Sequence, residues 1–236
     1  DAGVATTMGI SANFENEAFL EAFILWLEKQ NIREDKIGFP AVLGLESASA
    51  IVKNIESRME CPVFEIPTIP PSMPGRRLFN HLKDHFRRQG GVIYWGWPVA
   101  GVEKSGRKIE AVIAESQGRP NSLNAKAFIL ATGSFVGGGL HANRDSIVEN
   151  VFHLPVFQPG KRETWFDHDY FSLNHGIGQA GVAVNSDFRP ADCPWDNVFV
   201  CGAILAHTET LKNGCGHGFA LATGQAAAKS CLEHIR

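Results

Sequence analysis

Three short stretches set the terms for any fold this chain can adopt, because in each of them an apolar run meets glycine. They are AKAFILATGSF at 125–135, NVFVCGAIL at 197–205 and NGCGHGFALATGQAA at 213–227. The first two read as buried strands over 125–130 and 197–200, running into the turns Thr132-Gly133 and Cys201-Gly202. Glycine at such a turn leaves no side chain to keep another molecule off the backbone. The third stretch reads as the start of a helix over 216–234, rich in alanine and glycine. Gly214, Gly216 and Gly218 stand at its opening, where unsatisfied N–H groups and the positive end of the helix dipole favour negative charge. Ala222, Gly224, Ala226 and Ala227 are small enough to let that helix lie close to a strand or a ligand. Two buried strands with glycine turns and a following helix predict an α/β fold.

The rest of the chain frames these elements. Residues 15–30 predict a helix that starts from Asn13 and buries Phe19, Ala22, Phe23, Trp26 and Leu27. Residues 37–45 predict a strand and loop, followed by a helix near 46–59. Pro62, Pro67, Pro70, Pro71 and Pro74 crowd residues 61–75, which predicts an extended linker. The expected organisation is therefore an N-terminal α/β segment at 1–60, the linker, and a main domain at 76–236. That domain opens with a helix over 76–89, with Leu78, Leu82, His85 and Phe86 on one face, ending at a left-handed cap at Gly90-Gly91. A short strand over 92–94 and a hairpin of 98–104 with 108–115, turning at Ser105-Gly106, are expected next. Residues 143–195 show no period and read as an irregular insertion.

Composition removes several classes of function. With 236 residues, 44% of them hydrophobic, the chain has enough apolar material for a core. A net charge of −3 provides no field for nucleic acid. The apolar run at 18–27 is broken by Glu21 and is too short to cross a bilayer. Asp1, Ala2 and Gly3 lack the basic tip and apolar run of a signal peptide. The five cysteines contain no CxxC and read as reduced thiols. Cys193, Cys201, Cys215 and His217 match no usual zinc spacing, so no metal site is expected. No Ser–His–Asp set or paired carboxylates stand in a convincing context, and no catalytic residue is assigned.

The three glycine stretches, following the helix, Gly-Gly, strand and hairpin of 76–115, resemble flavoproteins that bind FAD on a doubly wound sheet. The resemblance sharpens at CPVFEIPTIPPSMPGRRLFNHLKDHFRRQGGV, ILATGSFVGGGL, Arg162-Glu163-Thr164-Trp165, GVAVNSDFRP and NVFVCGAIL with GCGHG. Over roughly residues 60–230 the sequence resembles the B subunits of anaerobic, quinone-linked glycerol-3-phosphate dehydrogenases. That resemblance implies part of a two-dinucleotide-binding-type flavoprotein fold with a β-hairpin layer and an irregular cap segment. It implies oxidation of sn-glycerol 3-phosphate to dihydroxyacetone phosphate with electrons passed to quinone. The implied partners are the A and C subunits of such glycerol-3-phosphate dehydrogenases, the first catalytic and the second an iron–sulfur membrane anchor. The implied location is the cytoplasm, at the inner face of the membrane.

The cofactor implied is FAD, with FMN left open. Its expected contacts are Val99, Thr132, Gly133, Gly202, Ala203, Gly214, Cys215, Gly216, His217 and Gly218. Arg162, Trp165 and Phe171 are expected at an interface or at the mouth of the active site, and Arg144 is a further phosphate candidate. His207 and Arg189 read as structural. Three departures from the pattern stand out. No strand followed by GxGxxG opens the chain, so this chain alone is expected to hold flavin weakly. Ala203 stands where relatives carry an acidic residue, and His217 where a small one is usual. Two other readings stay open here: a non-catalytic electron-transfer or scaffold subunit, and a fumarate-reductase-like flavoprotein.

Overall fold

A computed structural model of the chain describes residues 6–236, so the reading of Asp1, Ala2 and Gly3 lies outside the described residues. The chain divides into two compact units between Tyr94 and Trp95.

The first unit runs α1 (Thr7–Phe14), α2 (Glu17–Lys29), β1 (Ile37–Pro40), α3 (Ala48–Met59), β2 (Val63–Ile66) and α4 (Met73–Arg88). The helix expected over 15–30 starts later, because Asn16 rather than Asn13 caps it: its Oδ1 accepts the N–H groups of Ala18 at 2.9 Å and Phe19 at 3.2 Å. The buried face is set by Ile24 and Leu27, and Phe19 and Trp26 are exposed, contrary to the expected stripe. Strands β1 and β2 pair in parallel, Ile37 opposite Val63, with α3 as the crossover. The loop after β1 is tight because a side chain at Gly44, which has φ +85°, would collide with Ile51.

The proline-rich stretch at 61–75 is not a linker. Its VFEI run alternates like a strand and is zipped to β1, and the prolines begin only at its ends. Glu65, at its centre, accepts both guanidinium nitrogens of Arg77 and the N–H of Leu43 at 2.8 Å. Arg77 also donates to the carbonyl of Gly44 at 2.8 Å. Burial pushes the Glu65 carboxyl up, but the hydrogen bonds from Arg77 and Leu43 outweigh it and hold the group below its ordinary range. Ser72 caps α4, Met73 is its buried side chain, and Gly90 at φ +85° ends it as expected; Leu82 and Phe86 are exposed. No strand forms over 92–94.

The second unit begins with an antiparallel sheet of β3 (Val99–Ser105), β4 (Lys108–Ser116) and β5 (Arg119–Asn124), in that order. The expected hairpin thus gains a third, polar strand, whose Pro120 is tolerated because β5 is an edge. A parallel pair follows, β6 (Phe128–Leu130) with β9 (Val198–Val200), and between them in sequence lies the small antiparallel pair β7 (Leu140–Ala142) and β8 (Ile147–Glu149). Helix α5 (Gly216–Ile235) closes the unit.

The segment 143–195 is largely irregular in backbone, as expected, and it also contributes to the core of the unit. Phe152, Leu154 and Trp165 pack into one core with Phe128, Leu130, Val198, Val200 and Ile204. Trp165 is only 1% exposed. The backbone of this segment is satisfied in part by the buried carboxylate of Glu149, which accepts N–H groups from Val151 at 2.6 Å, Phe152 at 2.9 Å and Leu154 at 3.1 Å.

Candidate flavin-facing site

The site is assembled where β6 and β9 end. Their register, Leu130 opposite Val200, carries on into a hydrogen bond from the N–H of Cys201 to the carbonyl of Leu130 at 3.0 Å. The two turns that follow therefore leave the sheet side by side, at its carboxyl edge. That edge is where open α/β sheets receive ligands. After β6 the chain turns at Thr132-Gly133; after β9 it enters a single 3-10 turn, Gly202–Ile204, with Gly202 at φ +78°.

The glycines here have different physical causes. In the loop after β6, a side chain on Gly137 would put its Cβ 2.6 Å from the carbonyl oxygen of Thr132, and one on Gly139 would collide with the carbonyl of Gly133. Those positions are glycine because the loop folds back on itself. Gly216 and Gly218 are different. They have no left-handed φ, and a Cβ on either would meet nothing within 4 Å. Glycine weakens a helix, so the fold supplies no reason for it there. A molecule lying against the backbone does supply one. Cys215, the N-cap residue, makes no side-chain cap, and the N–H groups of Gly216, His217 and Gly218 find no protein acceptor among the described residues. The helix thus presents a bare, positively polarised end.

A cavity of about 270 Å³ adjoins the two turns. Ser134, Phe135 and Val136 line it from the β6 side and Ala203 from the β9 side. Loop residues Phe166, Leu173, His175 and Ile177 form one wall, and 208–212 another. Its lining is mostly apolar, with the hydroxyls of Ser134, Ser172, Thr208 and Thr210 and the side chains of His175, Glu209 and Lys212 as its polar points. His175 is fixed in its wall: its Nδ1 accepts the N–H of Asp167 at 3.0 Å, so its Nε2 carries the proton and donates to the carbonyl of Tyr170 at 3.2 Å. Across the cavity, Glu209 is engaged by Gln179 at 3.4 Å and Lys212 at 3.7 Å. Glu209 sits at positive φ in this wall, at 37°, and His207 just before it at 61°.

The residues singled out from the sequence fall into four groups. Gly202, Ala203, Gly214, Cys215, Gly216, His217 and Gly218 lie on the β9 turn or at the opening of α5, and Ala203 reaches the cavity. Thr132 and Gly133 form the neighbouring turn, and the buried hydroxyl of Thr132 has no hydrogen-bond partner among the described residues. Val99 opens β3, pairs with Ala114 and does not line the cavity. Arg162, Trp165 and Phe171 do not form a common surface. Arg162 donates to the carbonyls of Asn143 at 2.9 Å and Arg144 at 3.3 Å and lies 5.5 Å from the Trp165 ring. Trp165 is core, with its indole N–H on the carbonyl of Gly160 at 3.3 Å; Phe171 is 86% exposed. Their expected place at a mouth is corrected for Trp165, whose bulk is needed inside the unit.

Arg189 is structural as read, through hydrogen bonds to the Asp196 carbonyl at 2.7 Å and to His234 Nδ1 at 2.8 Å; Asp196 gives its carboxylate to Arg107 instead. The His207 ring packs against that of Phe157, with centroids 4.1 Å apart and the planes tilted by 51°. Burial pushes the thiols of Cys193, Cys201 and Cys231 up, which keeps them protonated. Sequence reasoning missed the cavity walls and Thr223, whose hydroxyl accepts the N–H of Gly202 at 3.0 Å. A β-branched hydroxyl inside a helix of alanine and glycine was the available signal.

The backbone at the carboxyl edge of the parallel pair and the bare end of α5 offer open space and positive polarity, which suit a ligand that carries negative charge. The FAD binding domain family matches residues 6–219, and the chain belongs to that family. It is similar to three proteins named as the B subunit of anaerobic glycerol-3-phosphate dehydrogenase. The one from Halobacterium salinarum, named as probable, is 33% identical over 205 residues, 85% of this chain and 48% of that protein. That of Aliivibrio fischeri is 32% identical over 215 residues, 86% of this chain and 47% of the relative. That of Vibrio vulnificus is 30% identical over 209 residues, 87% and 48%. The chain spans about half the length of the curated relatives it matches. No solved structure matches it.

The residues present fit part of such a cofactor: open space over Gly202, Gly216 and Gly218, unsatisfied N–H groups, and an orphaned hydroxyl at Thr132.

Proposed function

We propose that the chain is the flavin-facing portion of an FAD-dependent dehydrogenase subunit that takes part in oxidising sn-glycerol 3-phosphate. The observation that carries this reading is the open backbone surface of Gly216 and Gly218 at the bare end of α5, beside the turn at Gly202. FAD, when bound, supplies the acceptor for the two electrons released as the alcohol becomes a ketone. The protein supplies position and electrostatics. The N–H groups of Gly216, His217 and Gly218 stabilise negative charge on the cofactor, and Gly202 admits its approach. Phe135, Phe166, Leu173 and Ile177 give the space beyond it an apolar lining. Both ring nitrogens of His175 are engaged by backbone groups, so its ring shapes the wall.

The finer fold in this proposal is that of a two-dinucleotide-binding-type flavoprotein, with the β3–β5 sheet as its antiparallel layer. The relatives are each named as one subunit of a dehydrogenase, which supports partner chains. For these we propose the A and C subunits, the first catalytic and the second a membrane anchor. Electrons then pass to quinone at the inner face of the cell membrane. Among the described residues no helix is long and apolar enough to cross a membrane, so attachment through a partner accords with the chain. The test is to purify the full-length protein, titrate it with FAD and with FMN, and record flavin absorbance after desalting. Retained FAD supports the reading. Full-length protein that takes up neither flavin contradicts it.

A further inference from the structure

We infer that Thr223 is a positioning residue for the cofactor, holding the turn after β9 at a set distance from the first turn of α5; this rests on the flavin reading above. Thr223 lies in the middle of α5 and is 9% exposed. Its Oγ1 accepts the N–H of Gly202 at 3.0 Å and donates to the carbonyl of Phe219, one turn back, at 2.7 Å. The hydroxyl has one proton and it is committed to the helix, so the oxygen is oriented with a lone pair toward Gly202.

Gly202 needs this partner. Cys201 before it is still extended, at φ −149° and ψ 166°, and gives its N–H to Leu130, so strand alternation points the Gly202 N–H away from β6, where no other acceptor for it exists among the described residues. Its carbonyl is used on the other side, accepting the N–H of Leu205 at 3.1 Å to close the 3-10 turn that carries Ala203 into the cavity wall. The turn is therefore fastened at both ends, and one fastening is a side chain of α5, the helix whose first turn leaves its N–H groups without protein acceptors among the described residues.

The helix itself has no use for threonine at this position. A β-branched residue that bonds back to the carbonyl four residues earlier is neutral to unfavourable inside a helix, and alanine would serve better. Ala222 and Gly224 beside it show that small residues fit. The requirement for a hydroxyl comes from Gly202 alone. Without it the turn loses its hydrogen bond to the helix whose end, like the turn itself, presents backbone to the cofactor.

The test uses the full-length protein with Thr223→Val, close in shape but without the hydroxyl, and Thr223→Ser, which keeps it. Three quantities are read: hydrogen exchange of the Gly202 amide in flavin-free protein, the Kd for FAD, and the midpoint potential of bound flavin. Thr223→Val is expected to speed exchange at Gly202 and to raise the Kd about tenfold, the consequence of losing one partly buried hydrogen bond. It should also shift the potential to more negative values, because the positive helix end no longer sits close to the reduced ring. Thr223→Ser should restore all three. If Thr223→Val exchanges faster at Gly202 yet binds FAD with unchanged affinity and potential, the positioning role is overturned and the tie is merely structural. The role is equally overturned if Thr223→Ser is as defective as Thr223→Val. If the unmutated protein takes up no flavin, the flavin reading itself falls and the role of Thr223 falls with it. Should Thr223→Val not fold, the Kd and potential of Thr223→Ser and Thr223→Ala decide: serine like the parent with alanine impaired supports the role, and equal values overturn it.

Discussion

Asn197 reads the backbone of Ile109 in both directions: its Nδ2 donates to the carbonyl of Ile109 at 2.8 Å and its Oδ1 accepts the N–H at 3.0 Å. The same Nδ2 also donates to the carbonyl of Lys126 at 3.1 Å. One buried amide thus joins the antiparallel sheet to the root of the parallel pair, across 88 residues of sequence. Asn197→Ala leaves a donor and acceptors without partners. It should cost about 2–4 kcal/mol, with the urea midpoint lowered and the slope unchanged. A loss under about 0.5 kcal/mol would show that water replaces the amide, and the tie would be incidental.

Trp165 is predicted to matter through packing. Trp165→Ala should destabilise the protein by about 3–5 kcal/mol, measured by denaturant unfolding, because an indole that is 1% exposed leaves a cavity. Phe171→Ala, at an exposed position, should change stability by less than about 0.5 kcal/mol. Equal effects at the two positions would refute the buried placement of the tryptophan.

Glu65 makes the first unit sensitive to acid. Its carboxyl is held below the ordinary range, since the bonds from Arg77 and Leu43 outweigh burial. The stability it contributes is therefore complete above the unfolded-state value, near the ordinary 4.5, and is lost as pH falls through the lower folded-state value. Glu15 acts in the same sense. Burial raises its carboxyl, but the N–H groups of Glu46, Ser47 and Leu45 together lower it further. Glu65→Gln should be less stable than the parent at neutral pH, and the difference should shrink once the parent carboxylate is protonated in acid. A difference that stays constant with pH would remove the ion pair from the account.

Much of this architecture is legible in the residues themselves. The strands before Thr132 and Cys201, helix α5, the hairpin turn at Gly106 and the glycine end of α4 all follow from local pattern, because each combines an apolar period with a residue of special backbone preference. The errors arise where two signals compete. Proline counts hid the VFEI strand, although the prolines flank it. β5 was invisible because RPNSLN has almost no apolar content and is held by its backbone ladder to β4. The segment 143–195 looked peripheral because its core residues, Phe152, Leu154 and Trp165, recur with no period; a buried carboxylate, Glu149, fixes its backbone instead. At the site, glycines mark themselves in the sequence, but the walls of the cavity come from four separate stretches and only the fold brings them together.

The most direct test of the central claim replaces Gly216 and Gly218 by alanine in the full-length protein and reads FAD affinity and flavin-free stability together. Each Cβ enters open space, so the fold should tolerate both, with stability unchanged or raised by up to about 1 kcal/mol per site. FAD affinity should fall about tenfold or more, because the methyl groups occupy the surface that the cofactor approaches. Opposite signs in the two measurements are the predicted result. Full FAD affinity in the doubly substituted protein would contradict the account, since the open end of α5 would then not be where the flavin lies.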